Sequence, residues 1–459
     1  MLKVTLINPP HTTRYPQVPM GLALLAAVLE KAGYPVKVID ANALKIPPDQ
    51  VAAMVDDTDV VGLTAMTPTV SGAIAVARYL KKINPERTII LGGAHATLLP
   101  EETLTKSPDI DIIVRGEAEE TILTLLKAIE EKRNLDDVPG ITFRKPYRIH
   151  STPPSMNEID LESLPFLAYH LLPLRAYHPH PPHGLATPSA ALISSRGCPY
   201  HCAYCSKPIF GNKFRAQSTE RVLAEIEYLV TRFGVKEIAF YDDVFTLNRK
   251  RACAIAEGLV QKGIRLHWSC ESRVNLVDKE MLRLFRKSGC YFIAYGIESA
   301  NPEILKTLHK DITLEQVSEA VRWTREAGIQ TIGYFMLGSP GETAETVRET
   351  IDFAKKLKLD YAQFSVTTPF PGTELYELLG EKGKEIPWEA FVYAGAESQP
   401  IPLFENGALS REELKKLTWQ AYREFYLRPA YLWQRLTRLK SLNDLKLNFK
   451  GLKMLMGSV

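Results

Sequence analysis

Cysteine is scarce in this chain: six residues in 459, none of them before Cys198. No secretory signal pattern opens the sequence, and that argues against a disulfide framework, which needs an oxidising compartment. A surplus of one charge is also missing, with 56 Lys and Arg against 53 Asp and Glu and a formal net charge of +3. Such balance removes the global case for nucleic-acid binding. No apolar run approaches the roughly 20 residues of a membrane-spanning helix. No G-x-G-x-x-G follows a first strand, so Gly92-Gly93 alone does not make a dinucleotide-binding turn. With 45% hydrophobic and 24% charged residues the chain reads as soluble and globular. Its length predicts two or three domains.

What is present is the run Arg196-Gly-Cys-Pro-Tyr-His-Cys-Ala-Tyr-Cys-Ser206, which spaces Cys198, Cys202 and Cys205 as C-x3-C-x2-C. An iron–sulfur cubane normally takes four thiolates, so three leave one iron open for a substrate or cofactor. A structural zinc site needs four closed ligands, and His201, inside the loop, is poorly placed to be the fourth. The loop is similar, position for position, to the C-x3-C-x-aromatic-C signature of the radical SAM superfamily, with Tyr204 as the aromatic. That resemblance implies a [4Fe–4S] cluster on Cys198, Cys202 and Cys205 and S-adenosylmethionine on its open iron. Reductive cleavage of the cofactor then yields methionine and a 5′-deoxyadenosyl radical.

Residues 1–145 alternate strand-like and amphipathic runs, the pattern of a doubly wound α/β domain. Strands are predicted at Val4 to Asn8, Val36 to Asp40, Val60 to Thr64, Thr88 to Leu91 and Ile112 to Val114, with helices at Gly21 to Ala32 and Ser71 to Ile83. The strands end in turn residues at the edge where such sheets bind ligands. Asn8-Pro-Pro, Pro19-Met-Gly-Leu, Gly62-Leu-Thr-Ala-Met-Thr67, Leu91-Gly-Gly-Ala-His95 and Arg115-Gly-Glu-Ala-Glu119 together resemble the flavodoxin-like cobalamin-binding domain fused before many radical SAM cores. The resemblance implies corrin contacts from Asn8, Thr64, Met66, Thr67, Gly92, Gly93, His95, Gly116 and Glu117. The D-x-H-x-x-G motif that supplies an axial His in cobalamin mutases is absent, as in many relatives. His95 is expected to pack or bond near the corrin rather than ligate cobalt.

Residues 146–189 turn to Pro, His and short apolar pieces and read as a surface-draped linker, including Tyr177-His-Pro-His-Pro-Pro-His183. Residues 190–385 repeat strand, loop and helix six times, too few for a full barrel, and fit the (β/α)6 partial TIM barrel of the superfamily. The third strand is predicted at Arg265 to Ser269, the fifth at Gln330 to Leu337 and the sixth at Tyr361 to Val366. In related enzymes the loops after the strands hold S-adenosylmethionine. That implies Asp242 or Asp243 for its ammonium, Ser272 and Arg273 for its carboxylate, Glu298 for its ribose and Gly338 for a close backbone approach. Cys270 is expected to be structural. Residues 386–459 form a helical C-terminal segment, with a basic amphipathic tail suited either to a membrane surface or to packing over the barrel.

The resemblance is thus to cobalamin-dependent radical SAM proteins, which include hopanoid and bacteriochlorophyllide methylases and the anaerobic magnesium-protoporphyrin cyclase. It implies C-methylation of an unactivated carbon, with an oxidative cyclase or hydroxylase as the alternative and a corrinoid carrier or sensor as the non-enzyme reading. No Cys precedes Cys198 to build the second cluster of a methylthiotransferase. Expected partners are a small-molecule lipid or tetrapyrrole substrate and an electron donor such as ferredoxin or flavodoxin. The expected location is the cytoplasm, with peripheral membrane contact through the C-terminal segment.

Overall fold

Short β-branched runs, each closed by a turn residue, set the first sheet. The computed structural model describes residues 1–459 apart from 12, 14, 56, 156–157, 178–183, 392–406 and 437–459. Strands β1 (Val4–Asn8), β2 (Val36–Asp40), β3 (Val60–Thr64), β4 (Thr88–Gly92) and β5 (Ile112–Val114) run parallel in the order β2-β1-β3-β4-β5. That is the flavodoxin-like order, which places the switch point between β1 and β3. An antiparallel hairpin, β6 (Ile141–Lys145) and β7 (Arg148–Ser151), extends the sheet. The sheet therefore runs past residue 145, and four residues read as linker are its last strand. Apolar helix faces cover both sides, as the two separate cores of this domain require.

The linker is not simply draped over the surface. Ile159, Leu161 and Leu164 pack on Val28, while Tyr169, Leu172 and Tyr177 enter the core of the second domain. His178, His180 and His183 lie outside the described residues.

The second sheet is entirely parallel: β8 (Ser189–Leu192), then β11 (Glu237–Phe240), β12 (His267–Ser272), β13 (Cys290–Glu298), β14 (Gln330–Leu337) and β15 (Tyr361–Val366). Between β8 and β11 lies a small antiparallel ribbon, β9 (Ser195–Arg196) with β10 (Arg215–Ala216). Well-capped helices follow the strands; Thr219–Phe233 starts on Ser218, whose hydroxyl accepts from Arg221 N, and stops at left-handed Gly234. The third strand ends three residues later than predicted, so Cys270, Glu271 and Ser272 are strand rather than loop. Cys270 faces the helices and is buried in their core.

The first and last strands of this sheet do not pair with each other, so the barrel is open. Tyrosine hydroxyls from outside segments occupy both free edges. Tyr169 Oη donates to Ala191 O on β8. Tyr422 and Tyr426, on the C-terminal helix Arg411–Tyr426, meet Phe364 N at 3.2 Å and both Ala362 N and O at 3.0 and 2.7 Å on β15. The described part of the C-terminal segment therefore packs over the barrel, with Phe425 and Tyr431 buried and Trp433 exposed. No helix among the described residues is long and apolar enough to cross a membrane.

Candidate active site

The cysteines sit on the loop between β9 and β10, and the loop's shape is imposed at its root. Gly197 has φ +83°, and a Cβ there would fall 2.2 Å from Lys213 O, so only glycine lets the strands cross. Gly197 N donates to Asp243 Oδ2 at 3.1 Å, and Lys207 Nζ donates to the carbonyls of Cys198 (2.9 Å) and Tyr200. Cys198 and Cys202 are half-buried and Cys205 is exposed. The three thiols lie close enough to act on one another electrostatically. Among the described residues no three His, Cys, Asp or Glu converge on a single metal ion. A cubane takes one thiolate per iron, so three thiols sharing one loop, with a guanidinium donor beside them, suit it.

That guanidinium is Arg273, which stacks 3.8 Å over the Tyr200 ring and points Nη1 at Cys202 Sγ, 3.6 Å away. Tyr204 Oη donates to Glu298 Oε1 at 2.8 Å, and Lys310 Nζ donates to both oxygens at 2.9 Å. Glu298 is thus engaged by an ion pair, in a left-handed backbone conformation (φ 68°) after a register shift in β13. Ser272 Oγ shares a 2.5 Å hydrogen bond with Thr246. Asp242 is fully enclosed and accepts from Ser194 N, Ser194 Oγ and Ser195 Oγ at 2.5, 2.6 and 2.9 Å. It ties β8 to β11, which leaves Asp243 as the exposed carboxylate of this pair, beside the root of the cysteine loop. Gly338 (φ +84°) donates to Glu342 Oε2 at 2.5 Å, and its Cα abuts Leu414 of the C-terminal helix.

Inside the barrel Tyr291, Phe292, Ala294 and Ile332 form a buried cluster of their own, with Tyr334 and Tyr361, apart from the helix-side core. Glu271 on β12 pairs in register with Ala294 of this cluster. Burial, and then the charge of Asp243, push its carboxyl up to about 7. Sequence reasoning missed Glu271 and Lys310: the first looked like loop, and the second lies in a polar run, Lys306 to Asp311, with no motif.

At the carboxyl edge of the first sheet, Asn8 Nδ2 donates to Asp40 Oδ1 at 2.8 Å, and Gly116 N donates to Thr97 Oγ1 at 2.9 Å. Gly93 (φ +95°) passes so close to Ala65 that a Cβ would lie 2.6 Å from its carbonyl oxygen, with Thr64 Oγ1 at 2.9 Å. Nothing lies within 4 Å of the Cβ position of Gly116, and Met66 is 44% exposed. An edge of small residues with open space beside Gly116 suits a flat ligand. Two residues assigned to that ligand make further contacts within the protein. His95 is fully buried: Nδ1 is 3.1 Å from Thr67 Oγ1, the ring meets Trp388 edge-on at 4.5 Å, and Nε2 has no partner among the described residues. Burial lowers its pKa to about 4, so it stays neutral. Glu117 accepts from Arg196 Nη1 at 2.8 Å and from both terminal nitrogens of Arg215.

These contacts show how the two sheets meet. Glu117 and Glu119 grip Arg196 and Arg215 at the base of the cysteine loop, Tyr241 Oη donates to Gln17 Oε1 at 2.8 Å, and Leu98 abuts Gly372 beside Ser206. The carboxyl edge of the first sheet therefore faces the carboxyl edge of the second.

Comparison with known proteins accords with this layout. Residues 192–354 match the model of the radical SAM superfamily and residues 11–126 that of the B12 binding domain. An uncharacterized methyltransferase of Pyrococcus horikoshii is 35% identical over 441 residues, covering 94% of each chain. The anaerobic magnesium-protoporphyrin IX monomethyl ester cyclase of Rubrivivax gelatinosus is 31% identical over 92% of this chain and 76% of its own. Among solved structures, the fold is similar to that of the radical S-adenosylmethionine methyltransferase TsrM of Kitasatospora setae, bound to cobalamin and a [4Fe–4S] cluster. The TM-score is 0.71 at 21% identity, over 83% of this chain and 78% of that one.

Proposed function

The chain belongs to the cobalamin-dependent radical SAM enzymes, and from that premise we propose that it methylates an unactivated carbon of a hydrophobic small molecule. When bound, the cluster and S-adenosylmethionine supply a carbon-centred radical and the corrinoid a transferable methyl group. The observation that carries the reading is the opposition of the two carboxyl edges. It lets a ligand held beside Gly93 and Gly116 face one held by Cys198, Cys202 and Cys205.

The chain's own residues divide the work. The three thiolates hold the cluster, Arg273 donates to the sulfur of Cys202, and Asp243 accepts from the ammonium of S-adenosylmethionine. Tyr204 and Glu298 shape the wall on which that cofactor lies. The aromatic floor of Phe292, Tyr334 and Tyr361 receives an apolar substrate and excludes water. Glu271, able to hold a proton near neutrality, donates a hydrogen bond to a polar group on that substrate. Lipid or tetrapyrrole skeletons suit such a lining. A ferredoxin or flavodoxin supplies the electrons, in the cytoplasm, and exposed Trp433 offers a contact to a membrane surface.

The 31% identity to a ring cyclase favours one second reading, an oxidative reaction that keeps the corrinoid but moves no methyl. An anaerobic assay with reductant, cobalamin and substrate extract separates the two. Equal S-adenosylhomocysteine and 5′-deoxyadenosine support methylation, and deoxyadenosine without homocysteine product supports the cyclase type.

A further inference from the structure

The segment Leu308–Asp311 joins the helices Pro302–Thr307 and Leu314–Glu326 and runs beside the cysteine loop. Leu308 O accepts from Ala203 N at 3.1 Å, and His309 Nδ1 lies 3.3 Å from His201 O. Lys310 reaches the loop twice. Its ammonium donates to Tyr204 Oη and Glu298 Oε1, and its carbonyl accepts from Nη2 of Arg273, whose Nη1 points at Cys202 Sγ.

The backbone here is held in unusual shapes. Five non-glycine residues among those described have positive φ, and three of them are Glu298 (68°), His309 (52°) and Asp311 (46°). Such conformations persist where the surroundings over-determine them, and they collect at functional sites. Lys310 and Glu298 are each 5% exposed. A buried ion pair is weak evidence for stability, since apolar residues of like volume would serve the core as well. What the pair adds is fixed geometry, since the positive charge beside the thiolates is that of Arg273, whose aim Lys310 helps to set.

We propose that Lys310 is the positioning residue of the cysteine loop: its ammonium fixes Tyr204, its carbonyl aims Arg273 at Cys202, and together they set the electron affinity of the cluster. Hydrogen bonds to cluster sulfurs and nearby positive charge favour the reduced, more negative state and raise its potential. The inference rests on the cluster reading above.

The test needs neither substrate nor turnover. Wild-type protein and variants are reconstituted, assayed for iron and sulfide, and titrated redox-wise with the cluster followed by electron paramagnetic resonance. If wild-type protein holds no [4Fe–4S] cluster, the cluster reading itself falls. Given a wild-type cluster, Lys310→Met is expected to load fully but to show a more negative midpoint potential and an altered resonance signal, and Lys310→Arg to restore both. A Lys310→Met cluster with wild-type potential and signal, or a Lys310→Arg protein that behaves like the Met variant, overturns the proposal. Should Lys310→Met not fold, Tyr204→Phe carries the test, because it keeps the ring and the Lys310–Glu298 pair and removes only the hydroxyl link. An altered signal at unchanged melting temperature supports the proposal, and an unchanged signal overturns it.

Discussion

Replacing Glu117 by Gln probes the joint between the two sheets. Its carboxylate serves two guanidinium groups, and the side chains of Arg196, Glu117 and Arg215 are only 7%, 13% and 13% exposed. Without that charge Arg215 keeps only Glu158, 3.9 Å away and half exposed, while Arg196 keeps Glu119 at 2.6 Å. Deleting one partner of a buried pair costs about 3–5 kcal/mol, because the other charge stays buried. Gln retains one acceptor oxygen and water reaches the site's exposed side, so a loss of about 2–3 kcal/mol is expected here. Urea unfolding of the apoprotein measures it, and a double-mutant cycle with Arg215→Met isolates the pair. A coupling energy of about 1–2 kcal/mol is expected, within the range for residues in direct contact. Deoxyadenosine formation should survive Glu117→Gln while homocysteine product falls, since the joint aligns the sheets without touching the thiols. Coupling below about 0.5 kcal/mol, the level of non-interacting sites, would refute the reasoning.

Three further outcomes follow from the geometry. Cys202→Ala should abolish both bound iron and deoxyadenosine formation, and retention of either would remove Cys202 from the ligand set. Gly93→Ala should weaken cobalamin binding at least tenfold, read from corrin absorbance, with iron content unchanged; wild-type binding would show that the Ala65 contact can relax. Glu225, 2% exposed, has its carboxyl pushed by burial from 4.5 up to about 7. The folded state keeps that proton longer than the unfolded one, so its stabilising contribution is present below pH 4.5 and is lost as pH rises through 7. Between pH 5 and 8 the wild type should lose roughly 2–3 kcal/mol more than Glu225→Gln, because each tenfold difference in proton affinity between the two states is worth about 1.4 kcal/mol. Parallel pH profiles by urea titration would contradict this.

Strand positions were legible because each is a short apolar run closed by a turn residue; β1, β2, β3, β5, β14 and β15 match their predicted limits. β12 was not, since Cys270-Glu-Ser resembles a polar loop while the barrel accepts a carboxyl on its inner face. The cysteine loop was legible from spacing alone. Residues whose charge is spent on a tertiary partner were not. Asp242 and Glu117 look like ligand contacts in one dimension, and only folding shows that Ser194 and the two arginines have claimed them. Lys310 is the converse case. It is unremarked in sequence because its partners are 106 and 12 residues away.

The tyrosines on the two free edges of the barrel carry a consequence for adaptation. A closed sheet is a rigid hoop, in which widening one gap means breaking a ladder of backbone bonds. Here the hoop is clasped: Tyr169 on one lip and Tyr422 and Tyr426 on the other satisfy edge groups through hydroxyls that can turn, and they keep those edges from pairing with another chain. The C-terminal helix can therefore shift, or be exchanged for another over evolutionary time, without rewriting any strand. The girth of the chamber then becomes a property of the clasp, adjustable separately from the chemistry set into its rim.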